Sequence, residues 1–231
     1  MLKKQKGDNM ALKSVQYTLN GTTYNLTYNS STGKYEATIT APSKSSYTQA
    51  NHYYNGTVTA QDTAGNTASV TQATIAALQL VVKEKTPPSI AVTAPTASQL
   101  LANNKPTFVF SVTDLDSGVN PDSVTLQIDS LAAVSASAMT KTAITNGYQF
   151  TYTPSAALGD GAHTIKINAK DNDGNAAAVK TQTFTVDTTP PTLSITSPVN
   201  NLVTNNPSCT VSGATNDATS SPCTVTVKLN S

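Results

Sequence analysis

The feature that most constrains the fold is a sequence repeat with a period near 100 residues. Residues 86–95 read TPPSIAVTAP and residues 189–198 read TPPTLSITSP, an offset of 103 positions (189 minus 86). A second pair, DTAGN at 62–66 and DNDGN at 171–175, has an offset of 109 (171 minus 62). A repeat of this length indicates a series of similar folding units along the chain.

Apolar and polar residues alternate with a period of two through each repeat, which is typical of half-buried β-strands. Residues 15–19 and 22–28 alternate on either side of Asn20-Gly21. This dipeptide predicts a tight hairpin, because a type I′ turn needs positive φ at both central residues. About seven short strands per repeat, with no helical stripe, predict an all-β chain of tandem immunoglobulin-like β-sandwiches. The other predicted strands are residues 34–41, 54–60, 67–75, 78–83, 89–94, 107–113, 123–129, 148–153, 163–169 and 180–186, with 131–139 a further strand or an edge loop.

The second and third domains each begin with a Pro-Pro pair, at 87–88 and 190–191, which fixes φ and removes backbone donors and so indicates a domain boundary. We expect a basic tail at 1–9, a Tyr-rich Ig-like domain at 10–85, a second complete domain at 86–187 and a partial third at 188–231. The third segment has only 44 residues (231 minus 187), too few for both sheets of a sandwich. We therefore expect the chain to be the front part of a longer protein, or a partner to complete the third domain.

Composition argues against several classes of function. The 14 basic residues are all Lys and face 13 acids, so the chain lacks the clustered Arg and Lys that phosphate and nucleic-acid binding favours. No apolar run approaches the roughly 18 residues of a membrane span. The basic start lacks the apolar segment of a secretory signal, so we expect synthesis in a cytosol without export by the general pathway. Neither a nucleic acid nor a membrane is expected as a partner.

Three motifs resemble those of bacterial Ig-like (Big-type) repeats: DTTPP at 187–191, VTDLDSGV at 112–119 and DTAGN at 62–66. Such repeats occur in surface adhesins, in accessory modules of carbohydrate-active enzymes and in virion proteins of tailed phages. The resemblance extends over nearly all of the chain. It implies the fold and does not name a ligand.

The first domain is also similar to Ig-like proteins encoded by phages of Gram-positive gut bacteria, through TYNLTY at 23–28, GKYEATITAP at 33–42 and HYY at 52–54. This resemblance implies a non-catalytic structural or adhesive virion protein, made in the host cytoplasm and attached in many copies to the tail or capsid. Its partners are then phage structural proteins, copies of itself and, through weak attachment, host-surface or mucosal glycans. The alternatives are a bacterial cell-surface adhesin or stalk with Ig-like spacers, and an accessory region of a carbohydrate-active enzyme.

The residues offer little for catalysis. The two histidines, His52 and His163, fall in different predicted domains, so they do not share a triad within one sandwich. The two glutamates, Glu36 and Glu84, also lie far apart in the sequence, and no glycine belongs to a phosphate loop. We expect no enzymatic activity.

Calcium is the ion that the acidic turns favour, and no other cofactor is expected. In an Ig-like sandwich the loops after the second and sixth strands lie at one end, where the first strand also enters. Calcium takes about six to eight oxygens from carboxylates, amides and carbonyls, which such loops supply. Ordinary turns are the alternative, because β-turns themselves prefer Asp, Asn and Gly. The candidate interdomain ligands are Glu84, Asp114, Asp116, Asp171, Asp173 and Asn175.

Two further groups of residues carry predictions. Seven of the nine tyrosines lie in the first domain, and Tyr47, Tyr53 and Tyr54 fall outside its strand alternation. Exposed tyrosine among Ser and Asn suits adaptable contact, so this loop is a candidate docking or glycan-contact surface, with packing under a long loop as the alternative. Cys209 and Cys223 are 14 residues apart and form either two free thiols or a local disulfide.

Overall fold

The computed structural model describes residues 12–217, 219–220 and 222–228. These residues form 18 β-strands and four 3-10 helices of three residues each, which confirms the prediction of an all-β chain. Among the described residues, no helix has the length and apolarity needed to cross a bilayer. The basic tail predicted at 1–9 lies outside the described residues.

The described chain divides into two compact units. The first contains the described residues up to Pro88, together with the segments Asp114–Asn120 and Lys170–Ala176. The second contains the remaining described residues. The domain boundaries expected from the repeat stay predictions, since each unit is assembled from several segments of the chain.

The first unit contains seven strands: β1 (Leu12–Leu19), β2 (Thr22–Asn25), β3 (Thr27–Asn29), β4 (Lys34–Glu36), β5 (Tyr54–Asp62), β6 (Thr67–Thr71) and β7 (Gln79–Leu80). One sheet has the order β2-β1-β5-β6, with β7 also pairing with β5, and β3 and β4 form a separate hairpin. All of these pairs are antiparallel. The hairpin predicted at Asn20-Gly21 is confirmed, with φ of 47° and 78° at the two residues.

Four predicted strands of this unit are shortened or divided in the structure. Those predicted at 34–41 and 78–83 are reduced to Lys34–Glu36 and Gln79–Leu80. The strand predicted at 67–75 ends at Thr71, because the Thr71 carbonyl oxygen accepts the amides three and four residues later and so closes a turn. The strand predicted at 22–28 is divided at Leu26, whose amide donates to the Val15 carbonyl oxygen. Side-chain alternation continues through Leu26, so it does not reveal the division there.

The first unit has a small core. Val15, Leu19 and Tyr54 are buried. The unit also holds a half-open cavity of about 400 Å³, which shows that its apolar side chains do not fill the available space. The cavity is lined by Tyr17, Leu26, Tyr35, Glu36, Ala37, Ile39, Val58, Val70, Ile75, Ala77 and Leu78.

The second unit contains eleven strands: β8 (Ser89–Ala94), β9 (Gln99–Leu101), β10 (Phe108–Thr113), β11 (Val119–Ile128), β12 (Val134–Ser135), β13 (Thr140–Ile144), β14 (Gly147–Tyr152), β15 (Gly161–Asp171), β16 (Lys180–Val186), β17 (Thr192–Ser197) and β18 (Ser212–Asn216). Two sheets have the orders β13-β14-β10-β8 and β12-β11-β15-β16-β9. The pair of β9 and β16 is parallel, whereas β8, β10, β13 and β14 are joined by antiparallel pairs.

Phenylalanines join the inner faces of these two sheets. Phe108 on β10 meets Phe184 on β16 of the other sheet, with their ring centroids 5.6 Å apart. Within the first sheet, Phe110 stacks on Phe150 of the neighbouring strand β14 at 5.4 Å. Every second residue of β10 is buried, as the alternation predicts. Two sheets packed through such a core form a β-sandwich, which confirms the predicted fold class.

The segment 188–228 contains one antiparallel pair, β17 with β18. Leu193 and Ile195 on β17 are 64% and 55% exposed, so the described residues do not cover this pair with a second sheet. Cys209 is exposed and Cys223 half-buried, and both are free thiols. The disulfide considered from the sequence is not formed.

Candidate functional site

Three carboxylates meet in the first unit, each from a different segment of the chain. Glu84 follows β7, Asp114 follows β10, and Asp171 is the last residue of β15. One carboxylate oxygen from each lies within 4.8 Å of the others. Asp171 is 1% and Asp114 7% exposed, and Glu84 is half-buried. The structure thus brings together three of the six residues that the sequence suggests as calcium ligands, and we call them the carboxylate cluster.

The two aspartates of the cluster close turns of the same form. Asp114 Oδ1 accepts the amide of Asp116 at 3.0 Å and that of Gly118 at 2.7 Å. Asp171 Oδ1 accepts the amide of Asn175 at 2.7 Å, and Asp171 Oδ2 accepts Asn175 Nδ2 at the same distance. In both turns the carboxylate accepts an amide four residues later. Each aspartate therefore helps its turn to fold whether or not an ion is bound.

Glu84 is fixed to both turns. Its Oε1 accepts the amide of Ser117 at 2.7 Å, and its own amide donates to Asp173 Oδ2 at 2.9 Å. Asn175 Nδ2 donates to the Glu84 carbonyl oxygen at 3.2 Å. Burial raises the pKa of the Glu84 carboxyl above its ordinary value; hydrogen bonding from Ser117 opposes this rise, and the neighbouring charge of Asp114 adds to it. The carboxylate is therefore held in place where its ionised form is disfavoured.

Ser117 is a member of this site that the sequence analysis does not identify. It is 2% exposed, and its hydroxyl oxygen has no partner with hydrogen-bond geometry, although it lies near enough to Glu84 to lower the pKa of that carboxyl. A buried hydroxyl without a partner is costly, and an oxygen beside carboxylates is a suitable calcium ligand. Ser117 lies inside the acidic turn 114–118, but a serine in a turn has no distinctive spacing.

The remaining predicted ligands brace the site from outside it. Asp116 Oδ1 accepts the amide of Ser45 at 3.0 Å, and Asp173 is occupied by the amide of Glu84. None of the three clustered carboxylates forms an ion pair with a described residue. Lys83 donates instead to the Asp173 carbonyl oxygen at 3.4 Å. Like charges this close destabilise one another, and a divalent cation would offset that repulsion.

The tyrosine loop is a second candidate site in the same unit. The Tyr47 ring stacks on His52 with centroids 4.3 Å apart, and His52 Nδ1 donates to the Tyr47 carbonyl oxygen. Tyr54 is buried, and its hydroxyl donates to the Lys44 carbonyl oxygen at 3.2 Å. Tyr53, which directly precedes Tyr54 in the sequence, is half-buried. The three predicted tyrosines therefore differ: Tyr54 anchors the loop, while Tyr47 and Tyr53 remain partly open to solvent.

A polar cleft of about 310 Å³ lies between this loop and the β1–β2 turn. Tyr53 and Tyr54 line it, whereas Tyr47 does not. Five of its seven other lining residues carry side-chain amides or hydroxyls. The complete lining is Thr18, Asn20, Gly21, Gln49, Ala50, Tyr53, Tyr54, Asn55 and Thr57.

The residues considered for catalysis are engaged in local hydrogen bonds. Glu36 accepts from Asn29 Nδ2 at 2.9 Å and from Thr32 Oγ1 at 2.7 Å, and these bonds lower the pKa of its carboxyl. His163 lies 2.7 Å from Asp129 Oδ2 and bonds the Gly159 carbonyl oxygen through its other ring nitrogen. Burial lowers the pKa of His163, but these acceptors outweigh burial and raise it overall.

Two family models match the chain. Residues 93–188 match the model described as a bacterial Ig-like domain, and residues 191–231 match the model for glucodextranase, domain B. The first match spans 96 residues (188 minus 93, plus 1), less than half of the chain. Together the matches support the prediction of an Ig-like repeat protein. The chain matches none of the curated proteins compared with it.

Several solved structures are similar at low identity. CopC from Methylosinus trichosporium OB3b is 18% identical, with 43% of this chain and 94% of that chain covered and a TM-score of 0.32. The fibronectin(III)-like modules of Clostridium thermocellum CbhA are 17% identical, with 79% and 82% covered and a TM-score of 0.31. A Ca2+-stabilized adhesin with which an Antarctic bacterium binds ice is 20% identical, with 83% and 46% covered and a TM-score of 0.31. TM-scores this low carry no argument about what this chain does.

Proposed function

We propose that this chain is a non-catalytic structural and adhesive protein of a tailed-phage virion, present in many copies on the tail or capsid. The proposal rests on one observation: the buried acidic side chains of the first unit hold its loops together. Asp114 and Asp171 close turns, and Glu84 joins those turns to the end of β7. The polar chemistry of the first unit thus serves its architecture, and the unit offers no nucleophile activated by a base among these residues.

Calcium is part of this proposal. The carboxylate cluster supplies three oxygens from three chain segments, and Ser117 Oγ, which lies beside Glu84, would be a fourth. An ion bound there would join these segments and offset their mutual repulsion. A structural protein that works outside a cell gains from such a brace, because millimolar calcium is enough to fill even a weak site.

The phage assignment rests on the resemblance of the first domain to Ig-like proteins encoded by phages of Gram-positive gut bacteria. Many copies on one particle suit weak attachment, because avidity raises overall affinity without any new contact. Adhesion to host-surface or mucosal glycans then requires only a weak site on each copy. Copies of this chain and phage structural proteins are the proposed protein partners.

The location of the chain tests this proposal. Phage particles released from the host and purified by density gradient are examined by mass spectrometry, next to the cell-wall fraction of uninfected bacteria. The proposal expects the chain in the particles at many copies, and cryo-electron microscopy then locates it on the tail or capsid. Recovery only from uninfected cell walls would overturn the virion assignment in favour of a bacterial surface adhesin or stalk.

A second candidate is an accessory region of a carbohydrate-active enzyme. The match of residues 191–231 to glucodextranase, domain B favours it. The intact protein from its natural source decides between the two. A polypeptide with a separate catalytic domain and glycoside hydrolase activity would support the second candidate and contradict the virion proposal.

A further inference from the structure

We propose that the polar cleft between the tyrosine loop and the β1–β2 turn binds a single neutral hexopyranose ring. This inference rests on the adhesive part of the proposed function and names the class of ligand for it. The cleft has a volume of about 310 Å³. That lies at the lower end of the range for ligand pockets, roughly 300–1,000 Å³, and suits one sugar ring better than a longer glycan.

Unpaired amide groups provide the recognition chemistry. Asn20, Gln49 and Asn55 are exposed, and none of their side chains hydrogen-bonds to a residue that the structure describes. Each amide presents donors and an acceptor at fixed spacing. Neighbouring hydroxyls of a sugar also donate and accept, so an amide can bond two of them together.

The cleft carries no formal charge. Its lining holds amides, hydroxyls, two tyrosines, an alanine and a glycine, and no Lys, Asp, Glu or His. A charged sugar such as a sialic acid would lose hydration there without meeting a counter-charge. The lining therefore favours a neutral hexopyranose over an acidic one.

An aromatic face accompanies the amides. Tyr53 is half-buried, and its hydroxyl makes no hydrogen bond to the described residues. A sugar ring has a hydrophobic face of axial C–H groups, which packs against a tyrosine ring, while the phenolic hydroxyl remains free to bond. Tyrosine also supplies this contact with little loss of side-chain entropy.

The tyrosine loop beside the cleft has an unusual backbone conformation at two consecutive residues that do not themselves line the cleft. Asn51 and His52 have φ of 60° and 62°, a left-handed region that non-glycine residues seldom adopt, and Asn20 has φ of 47°. Ser46 is 1% exposed, and its hydroxyl lies 2.9 Å from the His52 carbonyl oxygen and accepts the amide of Val82 at 3.1 Å. Consecutive residues of this kind persist only where the surroundings fix them, and they are common at ligand sites. A fixed cleft also loses little entropy on binding.

Nuclear magnetic resonance of the full chain tests the inference. The probes are the methyl pyranosides of glucose, galactose, mannose and N-acetylglucosamine, with N-acetylneuraminic acid as the charged comparison. We expect at least one neutral glycoside to shift the side-chain amide signals of Asn20, Gln49 and Asn55 with a Kd on the order of 1–10 mM, a range expected for so small a ligand. N-acetylneuraminic acid should leave them unchanged.

Substitutions locate the binding. Gln49→Ala and Tyr53→Ala should each weaken binding by about five- to ten-fold, the effect of losing one good contact. Gln79→Ala is the matched control, because Gln79 is also an exposed amide of the first unit and lies outside the cleft. Asn55→Ala is a second variant of an exposed side chain, which keeps the test open if Tyr53→Ala does not fold.

The outcomes are distinct from those of the proposed function. If none of the neutral glycosides shifts these signals at about 50 mM, or if Gln49→Ala binds as tightly as the wild type, the cleft is not a hexopyranose site, whatever the particle contains. Stronger binding of N-acetylneuraminic acid also overturns the inference. Conversely, sugar binding by a chain found only in cell walls would leave the cleft assignment standing and refute the virion proposal.

Discussion

Replacing Glu84 with Gln removes one charge from the carboxylate cluster and keeps its shape. The Oε1 atom of Gln can still accept the amide of Ser117, which lies 2.7 Å from Glu84 Oε1. The substitution therefore separates the charge of the cluster from its hydrogen bonds. We expect Glu84→Gln to remove the calcium response of the first unit while preserving its fold.

The expected magnitudes follow from the geometry. The carboxylate oxygens of the cluster lie within 4.8 Å of one another, and two unit charges at that limit repel by about 3.5 kcal/mol at an effective dielectric constant of about 20. Solvent near the half-buried Glu84 screens this repulsion, and the raised pKa of its carboxyl also reduces it. In a chelator, we therefore expect Glu84→Gln to raise the free energy of unfolding by about 1 kcal/mol. In the wild type, calcium at 100 times its Kd should add about 2.7 kcal/mol. For a unit of about 100 residues that is a rise in Tm of roughly 10–20 °C.

Thermal unfolding of the full chain, followed by tyrosine fluorescence, measures both effects. Seven of the nine tyrosines lie in the first unit, so the signal reports mainly on it. Wild type and variant are compared in about 5 mM calcium and in chelator. Glu36→Gln is the control, because Glu36 bonds Asn29 and Thr32 away from the cluster and should keep the full calcium shift. If the wild type melts at one temperature in both buffers, or if Glu84→Gln keeps the shift, the acidic turns bind no ion and the reasoning is refuted.

Two predictions concern the second unit. Gly147→Ala should lower the free energy of unfolding, measured by urea titration, by at least about 2 kcal/mol, because the added Cβ would lie 2.0 Å from the Val112 carbonyl oxygen. Gly159→Ala is the control: no atom lies within 4 Å of its added Cβ, so the same titration should show a change of less than about 0.5 kcal/mol. The raised pKa of His163, paired with Asp129, contributes stability that is fully present below the unfolded value of 6.5 and is lost as pH rises through the folded value. The difference in unfolding free energy between wild type and His163→Gln should therefore be larger at pH 5.5 than at pH 9, and an equal difference at both would contradict the assigned pKa shift.

The long strands were predictable because one face of each is buried. The predicted ranges 89–94 and 180–186 coincide with β8 and β16, whose side chains alternate. β9 escaped prediction because three residues cannot display a period. β13 escaped it because all five of its residues are exposed, so its pairing with β14 depends on backbone hydrogen bonds rather than on a pattern of apolar side chains.

The candidate sites were predictable only in part. The expected position of the acidic loops at one end of an Ig-like sandwich identified Asp114 and Asp171, and the structure shows that each also accepts an amide four residues later. The roles of Asp116 and Ser117 were not visible, because they depend on Ser45 and Glu84 in distant parts of the chain. The cleft beside the tyrosine loop could not be predicted from the sequence, because its amides come from the β1–β2 turn, the tyrosine loop and strand β5.

The first unit is assembled from several separate segments of the chain, and this limits where the chain can be cut. A fragment that stops at Pro88, where the repeat suggests a boundary, would leave the Ser45 amide without the Asp116 carboxylate and the Glu84 amide without the Asp173 carboxylate. The segment that ends at the predicted boundary therefore lacks partners for two hydrogen bonds that hold the first unit together. Recombination or limited proteolysis at the Pro-Pro pair would separate a repeat cleanly and still leave the first unit incomplete, so the array is not a set of freely exchangeable modules.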